Sequence, residues 1–122
     1  MTESLNILPE QQFPQDALQT REEHTRWRVA HTKSRQEKKL AHFLAAHRMS
    51  YYLPLIKRRQ PGQRRRRFSY MPAFGNYIFV KITDQERHLA MRSNCIARII
   101  EVQDQERLQR ELMHLQTAMA ME

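Results

Sequence analysis

A chain of 122 residues has room for one domain with a modest core, and 28% charged residues with a mean hydropathy of −0.80 give it a water-soluble composition. No run of about 18 apolar residues occurs, so no membrane span is expected, and the polar, acidic start lacks the basic flank and apolar stretch of a secretory signal. The net charge of +8 is one local device: Lys57, Arg58, Arg59, Arg64, Arg65, Arg66 and Arg67 lie together without an acid, and such a cluster suits a polyanion, nucleic acid by default.

Residues 1–25 carry Pro9, Pro14, several glutamines and the acids Glu3, Glu10, Asp16, Glu22 and Glu23 against Arg21 alone. That composition reads as an acidic, flexible extension, although Leu5, Ile7, Leu8 and Phe13 are apolar enough to lie on a domain. Residues 26–32 alternate as a strand, with Trp27, Val29 and His31 on one face and Arg28, Ala30 and Thr32 on the other. Ser34 followed by Glu37 matches a capping box for a helix running to about Arg48. Leu40, Phe43, Leu44 and His47 form its predicted buried stripe, with Lys38, Lys39 and His42 outward.

Tyr51, Leu53 and Leu55 predict a second strand, interrupted at Pro54 and therefore at an edge. Residues 57–67 form a basic hairpin tip around a Pro61-Gly62 turn, too charged to be buried. Residues 68–82 return as the most β-prone run of the chain, placing Ile78, Val80 and Ile82 on one face and Tyr77, Phe79 and Lys81 on the other. The aliphatic face suits a core. Two large aromatics beside a cation suit a docking surface, the alternative being a central strand with both faces buried. Thr83 or Asp84 caps a short helix to about Arg92, and 97–102 is a further strand. Asp104 caps a last helix with Leu108, Leu112, Leu115 and Met119 at helical spacing. The order predicts an α+β fold, a small antiparallel four-stranded sheet packed with about three helices, over residues 26–122.

Catalytic chemistry is not legible. Six histidines are scattered without ligand spacing, so no metal is expected, and two glycines exclude a Gly-rich phosphate loop. Cys95 follows His88 by seven residues with no third group, which is no case for a nucleophile. A binding protein without cofactor or small-molecule substrate is expected, not an enzyme. The single cysteine also fits a reducing cytosol.

Trp27-Arg28-Val29-Ala30-His31-Thr32-Lys33-Ser34-Arg35-Gln36-Glu37-Lys38, then Tyr52-Leu53-Pro54-Leu55, Pro72-Ala73-Phe74-Gly75-Asn76-Tyr77-Ile78-Phe79-Val80 and Met91-Arg92-Ser93, resemble the N-terminal domain of the NusG family. The likeness is nearest to its specialised paralogues, such as RfaH, and spans about residues 26–116. It implies a monomeric bacterial transcription elongation or antitermination factor in the cytosol, which rides on RNA polymerase and suppresses pausing or termination. In the family, this domain grips the clamp helices of the β′ subunit, reaches the β gate loop and lies against non-template DNA. Carried over by position, Tyr77 and Phe79 with Val29 match the clamp-binding residues, and His88 the gate-loop contact. Lys33, Gln36, Lys39 and Asn94 match DNA-facing positions, and the basic hairpin extends the contact to DNA or RNA.

The sequence also departs from the family pattern. Gly75 stands at a usual Pro, Arg28 at a usual aromatic, and the 94–97 loop lacks a usual Gly. The second domain of the family, a KOW-type barrel, has no counterpart in these residues, so couplings to Rho or the ribosome are not expected from them. An exposed Tyr77/Phe79 patch would invite aggregation, so one expectation is that the acidic extension masks it or lies along the hairpin; the simpler one is a disordered tail with no partner. The main alternative is a free-standing RNA- or DNA-binding protein that uses the hairpin without polymerase.

Overall fold

The computed structural model describes residues 8–20, 22–59 and 68–121. In chain order it forms β1 (Gln12–Phe13), β2 (Arg26–Thr32), α1 (Glu37–Ala46), β3 (Ser50–Tyr52), β4 (Leu55–Arg59), β5 (Phe68–Pro72), β6 (Tyr77–Ile82), α2 (Asp84–Met91), β7 (Ile96–Glu101) and α3 (Gln105–Ala120). One sheet has the spatial order β1-β3-β6-β2-β7, antiparallel at every join, and β4 pairs with β5 in a separate ribbon. This is the expected α+β class. β3, β6, β2 and β7 supply the four predicted strands, and the two-residue β1 adds a fifth at one edge.

Period-two alternation splits the sheet into two faces. Ile78, Val80, Ile82 and Ala30 are fully buried under Leu40, Ala41 and Leu44 of α1 and Ala90 of α2. On the other face Trp27 and Tyr52 are buried against Leu112 of α3 and Leu18 of the N-terminal segment. The sheet therefore lies between two layers, α1 and α2 on one side and α3 on the other. Each aliphatic side chain so buried contributes about 1.5–3 kcal/mol.

Two predicted strands are broken by turns. β3 ends at Tyr52, the chain bends at Leu53-Pro54, and β4 leaves the main sheet. The run 68–82 likewise divides into β5 and β6 around a turn in which Asn76 has φ 68°. Asn tolerates that left-handed conformation because its short polar side chain serves the local backbone. Ala73 N–H donates to Pro54 O at 2.8 Å, which joins the two bends and sends the β4–β5 ribbon off as a unit.

The helix caps are partly as expected. Thr83 and Glu86 form a reciprocal capping box at α2, and Asp104 accepts from Arg107 N–H at α3. At α1 the predicted box at Ser34 is corrected: the helix starts after Gln36, with no side-chain cap. Lys33 and Gln36 close a turn instead, Arg35 is left-handed, and Glu37, freed from capping, accepts from Asn76 N–H at 2.8 Å across the molecule. His47 is exposed rather than part of the buried stripe. It lies past the last helical residue, where its ring folds back on Phe43 at 4.2 Å.

The largest departure is at the N-terminus. Residues 8–20 are built into the domain rather than extending from it: β1 pairs with β3, and Ala17 and Leu18 are fully buried. Phe13 stacks on Tyr51 under one face while Leu18 packs on Trp27 and Tyr52 on the other. Few but well-placed apolar residues, with glutamines that bond to α3, outweigh the acidic average of the segment. Residues 1–7, with Glu3, Leu5 and Ile7, lie outside the described residues.

Candidate functional site

β2 and β6 place Val29 opposite Phe79 and His31 opposite Tyr77, so these four share one face. α3 and the N-terminal segment cover the Trp27–Lys81 end of that face and Tyr52, and Phe79 packs against the edge of this cluster. Toward the other end His31 and Tyr77 stack at 5.0 Å, both half-buried. Phe79 meets Tyr52 at 6.4 Å on its inner side and, edge-on at 5.9 Å, Phe74, which is 43% exposed. Ile100 of β7, opposite Val29, is half-buried at the border. The result is an apolar, aromatic surface on the sheet that is partly open, with Val29, His31, Tyr77 and Phe79 all half-buried. A patch of this kind suits a partner rather than a substrate.

At the covered end Lys81 is 2% exposed, and its ammonium donates to Ala17 O at 2.7 Å, Thr20 O at 2.8 Å and Thr20 Oγ1 at 3.0 Å. Burial pushes its pKa below the ordinary lysine value, while the charges of Glu22 and Asp16 act the other way. Lys81 is thus a structural anchor, not part of the open surface. Arg28, on the opposite face, is 2% exposed; its Nε–H is shared between the two carboxylate oxygens of Glu101, and its other nitrogens donate to Ile82 O and to Asp84. These partners fix the junction of β2, β6, β7 and α2.

The β4–β5 ribbon carries Lys57, Arg58 and Arg59, all exposed. Arg64, Arg65, Arg66 and Arg67 lie outside the described residues. At the start of α1, Lys33 N–H donates to Cys95 O at 2.8 Å, and the Cys95 thiol reaches Gln36 Oε1 at 3.7 Å. This bonding brings Lys33, Gln36 and Asn94 together. Lys39, three residues along α1 from Gln36, extends the same ridge. Lys33, Lys39 and Asn94 are exposed or nearly so, and Asn94, at φ 60°, adopts the left-handed turn for which a glycine is usual.

His88 is exposed on α2, whose Leu89 and Ala90 pack on the aliphatic face, so it is not brought to the Val29/Tyr77/Phe79 surface. The residues that sequence reasoning passed over are His31 and Phe74. Strand alternation already put His31 beside Val29; Phe74 lies in a turn, and only the geometry shows its ring against Phe79. Among the described residues no group of three or more His, Cys, Asp or Glu is placed to hold a metal, and no helix is long and apolar enough to cross a membrane.

A search of curated proteins gives no match for this sequence. The family model described as "Transcription termination factor nusG" matches residues 25–117, most of the chain and every element from β2 into α3. With this match over an α+β domain of the expected class, the chain belongs to the NusG family of transcription factors.

Proposed function

We propose that the protein is an elongation or antitermination factor that binds RNA polymerase at the β′ clamp helices through Val29, Tyr77 and Phe79. The observation that carries this reading is the half-open aromatic face: the rings stand on a rigid sheet, flanked by Phe74 and His31, where a helical partner can lie across them. Lys33, Gln36, Lys39 and Asn94 then face the non-template strand, the basic hairpin adds phosphate contacts to DNA or RNA, and His88, away from the aromatic face, reaches the gate loop of β. The role needs neither a catalytic group nor a cofactor, and it belongs in the bacterial cytosol.

The test is co-purification of polymerase with the tagged protein and with the Tyr77→Ala/Phe79→Ala variant, whose fold is checked by circular dichroism. Truncating a central aromatic anchor typically costs about 2 kcal/mol or more, so affinity should fall at least roughly thirtyfold even where the two costs overlap completely, and retention with it. A folded double variant that still retains polymerase overturns the assignment and leaves the free-standing nucleic-acid binder.

A further inference from the structure

The β4–β5 ribbon holds more than positive charge. In its register Arg59 lies opposite Phe68 and Lys57 opposite Tyr70, so two cations and two aromatic rings occupy the same face. Lys57 Nζ sits 4.4 Å from the centre of the Phe68 ring, a diagonal approach possible only on a shared face. Phe68 remains 49% exposed and Tyr70 42% exposed, although both are large apolar rings on a ribbon outside the main sheet. Neither is in the core, and neither belongs to the Tyr77/Phe79 surface. Two residues apart on one strand, their stems are separated by about 6.8 Å, so each ring can meet a separate flat group.

We propose that this face is a stacking platform for unpaired nucleic acid, with Phe68 and Tyr70 receiving bases and Lys57 and Arg59 holding the flanking phosphates. The proposal rests on the reading of the hairpin as a nucleic-acid contact and names its ligand class. Charge alone would serve a duplex equally well, because a duplex offers phosphates and hides its base faces. Exposed rings interleaved with cations favour a strand whose bases are free to turn outward. The ring face of every base is apolar, so the platform is tolerant of sequence.

Anisotropy titrations with labelled oligo-dT, oligo-U and a mixed-sequence DNA duplex, all without polymerase, test this. The whole protein should bind both single strands more tightly than the duplex, and the dT-to-U ratio reports which sugar is preferred. Phe68→Ala/Tyr70→Ala should weaken single-strand binding about ten- to hundredfold and leave duplex binding within twofold. The salt slope should stay as it is, because every phosphate-binding cation is still in place. Phe68→Trp/Tyr70→Trp should restore single-strand binding. Equal weakening on strand and duplex, no weakening on either, or a preference for duplex overturns the platform. None of these readouts depends on the Tyr77/Phe79 surface, so failure here and failure of polymerase binding are separable.

Discussion

The Lys81 ammonium lies 2.7 Å from the carbonyl oxygen of Ala17, joining the middle of the sheet to a segment 64 residues earlier. The bond sits under α3, beside the Trp27 ring 5.7 Å away. A buried lysine needs partners for its charge, and here the backbone of residues 17–20 supplies them. Glutamines continue the attachment: Gln109 donates to Leu18 O at 3.0 Å, and Gln116 bonds to Gln12 and Gln19. The sheet, α3 and the N-terminal segment are thus joined by a set of hydrogen bonds.

Tyr51 makes a second tether, donating its hydroxyl to Glu10 O at 2.6 Å. Burial, then the negative charge of Glu10, pushes its pKa up to about 12 from 10.0. The folded state thus holds this proton more tightly than the unfolded chain does. The stabilisation is fully present below pH 10 and disappears as pH rises from about 10 to about 12, up to about 3 kcal/mol. Tyr51→Phe should cost about 1 kcal/mol at pH 7 from the missing hydrogen bond and show a shallower decline above pH 10. Urea unfolding across that range measures both. Lys81 titrates in the opposite sense, so the variant must be compared with the parent at each pH. Parallel declines would assign the alkaline destabilisation to other groups.

The sheet was legible where one physical rule decided the structure. Alternation alone located residues 26–32 and separated Ile78, Val80 and Ile82 from Tyr77 and Phe79, because a strand with one deeply buried face must alternate. Side-chain caps at Thr83 and Asp104 were legible for the same reason, each needing only its near neighbours. Ser34 misled because its box competes with a tertiary bond, Glu37 to Asn76, that local sequence does not show. Composition hides the packing of the N-terminal segment: its anchors lie far along the chain, and glutamine is as fit for a hydrogen-bonded seam as for a solvated tail. The aromatic surface was half-legible. Val29, Tyr77 and Phe79 follow from strand faces, whereas Phe74 joins them only through a turn.

Neutralising Arg64, Arg65, Arg66 and Arg67 to glutamine tests the charge of the hairpin separately from its rings. These four residues are consecutive and basic, and packing them together in a core would carry a large desolvation cost. The log-log salt slope of DNA affinity should flatten by about one unit for each phosphate that the variant no longer neutralises. The thermal midpoint should stay within a few degrees of the parent, since the β4–β5 register is formed by residues outside the replaced run. An unchanged slope would mean that the cluster meets something other than nucleic acid. A flattened slope in these variants, with none in Phe68→Ala/Tyr70→Ala, would divide the hairpin into a phosphate-binding part and a base-stacking part.

Removing the N-terminal segment distinguishes a mask from a structural element. A mask covers the Tyr77/Phe79 surface reversibly, so a chain starting at Thr25 would stay folded and bind polymerase more tightly. The packing of residues 8–20 points the other way. They cover Trp27, Tyr52 and Lys81 rather than Tyr77, and without them the Lys81 ammonium, the Tyr51 hydroxyl and Leu53 N–H would have no partners. Several buried polar groups orphaned at once, together with the absence of Leu18 from its niche, should lower stability by more than about 3 kcal/mol. Polymerase retention should fall with the folded fraction. Lys81→Ala isolates part of the effect, at about 2 kcal/mol or more, because it removes the donor and leaves a void. Lys81→Met should cost less, since its unbranched stem still fills the space. Urea unfolding of the three variants, beside polymerase retention, reads the result. A shortened chain that is as stable as the whole protein and holds polymerase more tightly would restore the mask and reduce Lys81 to a local tie.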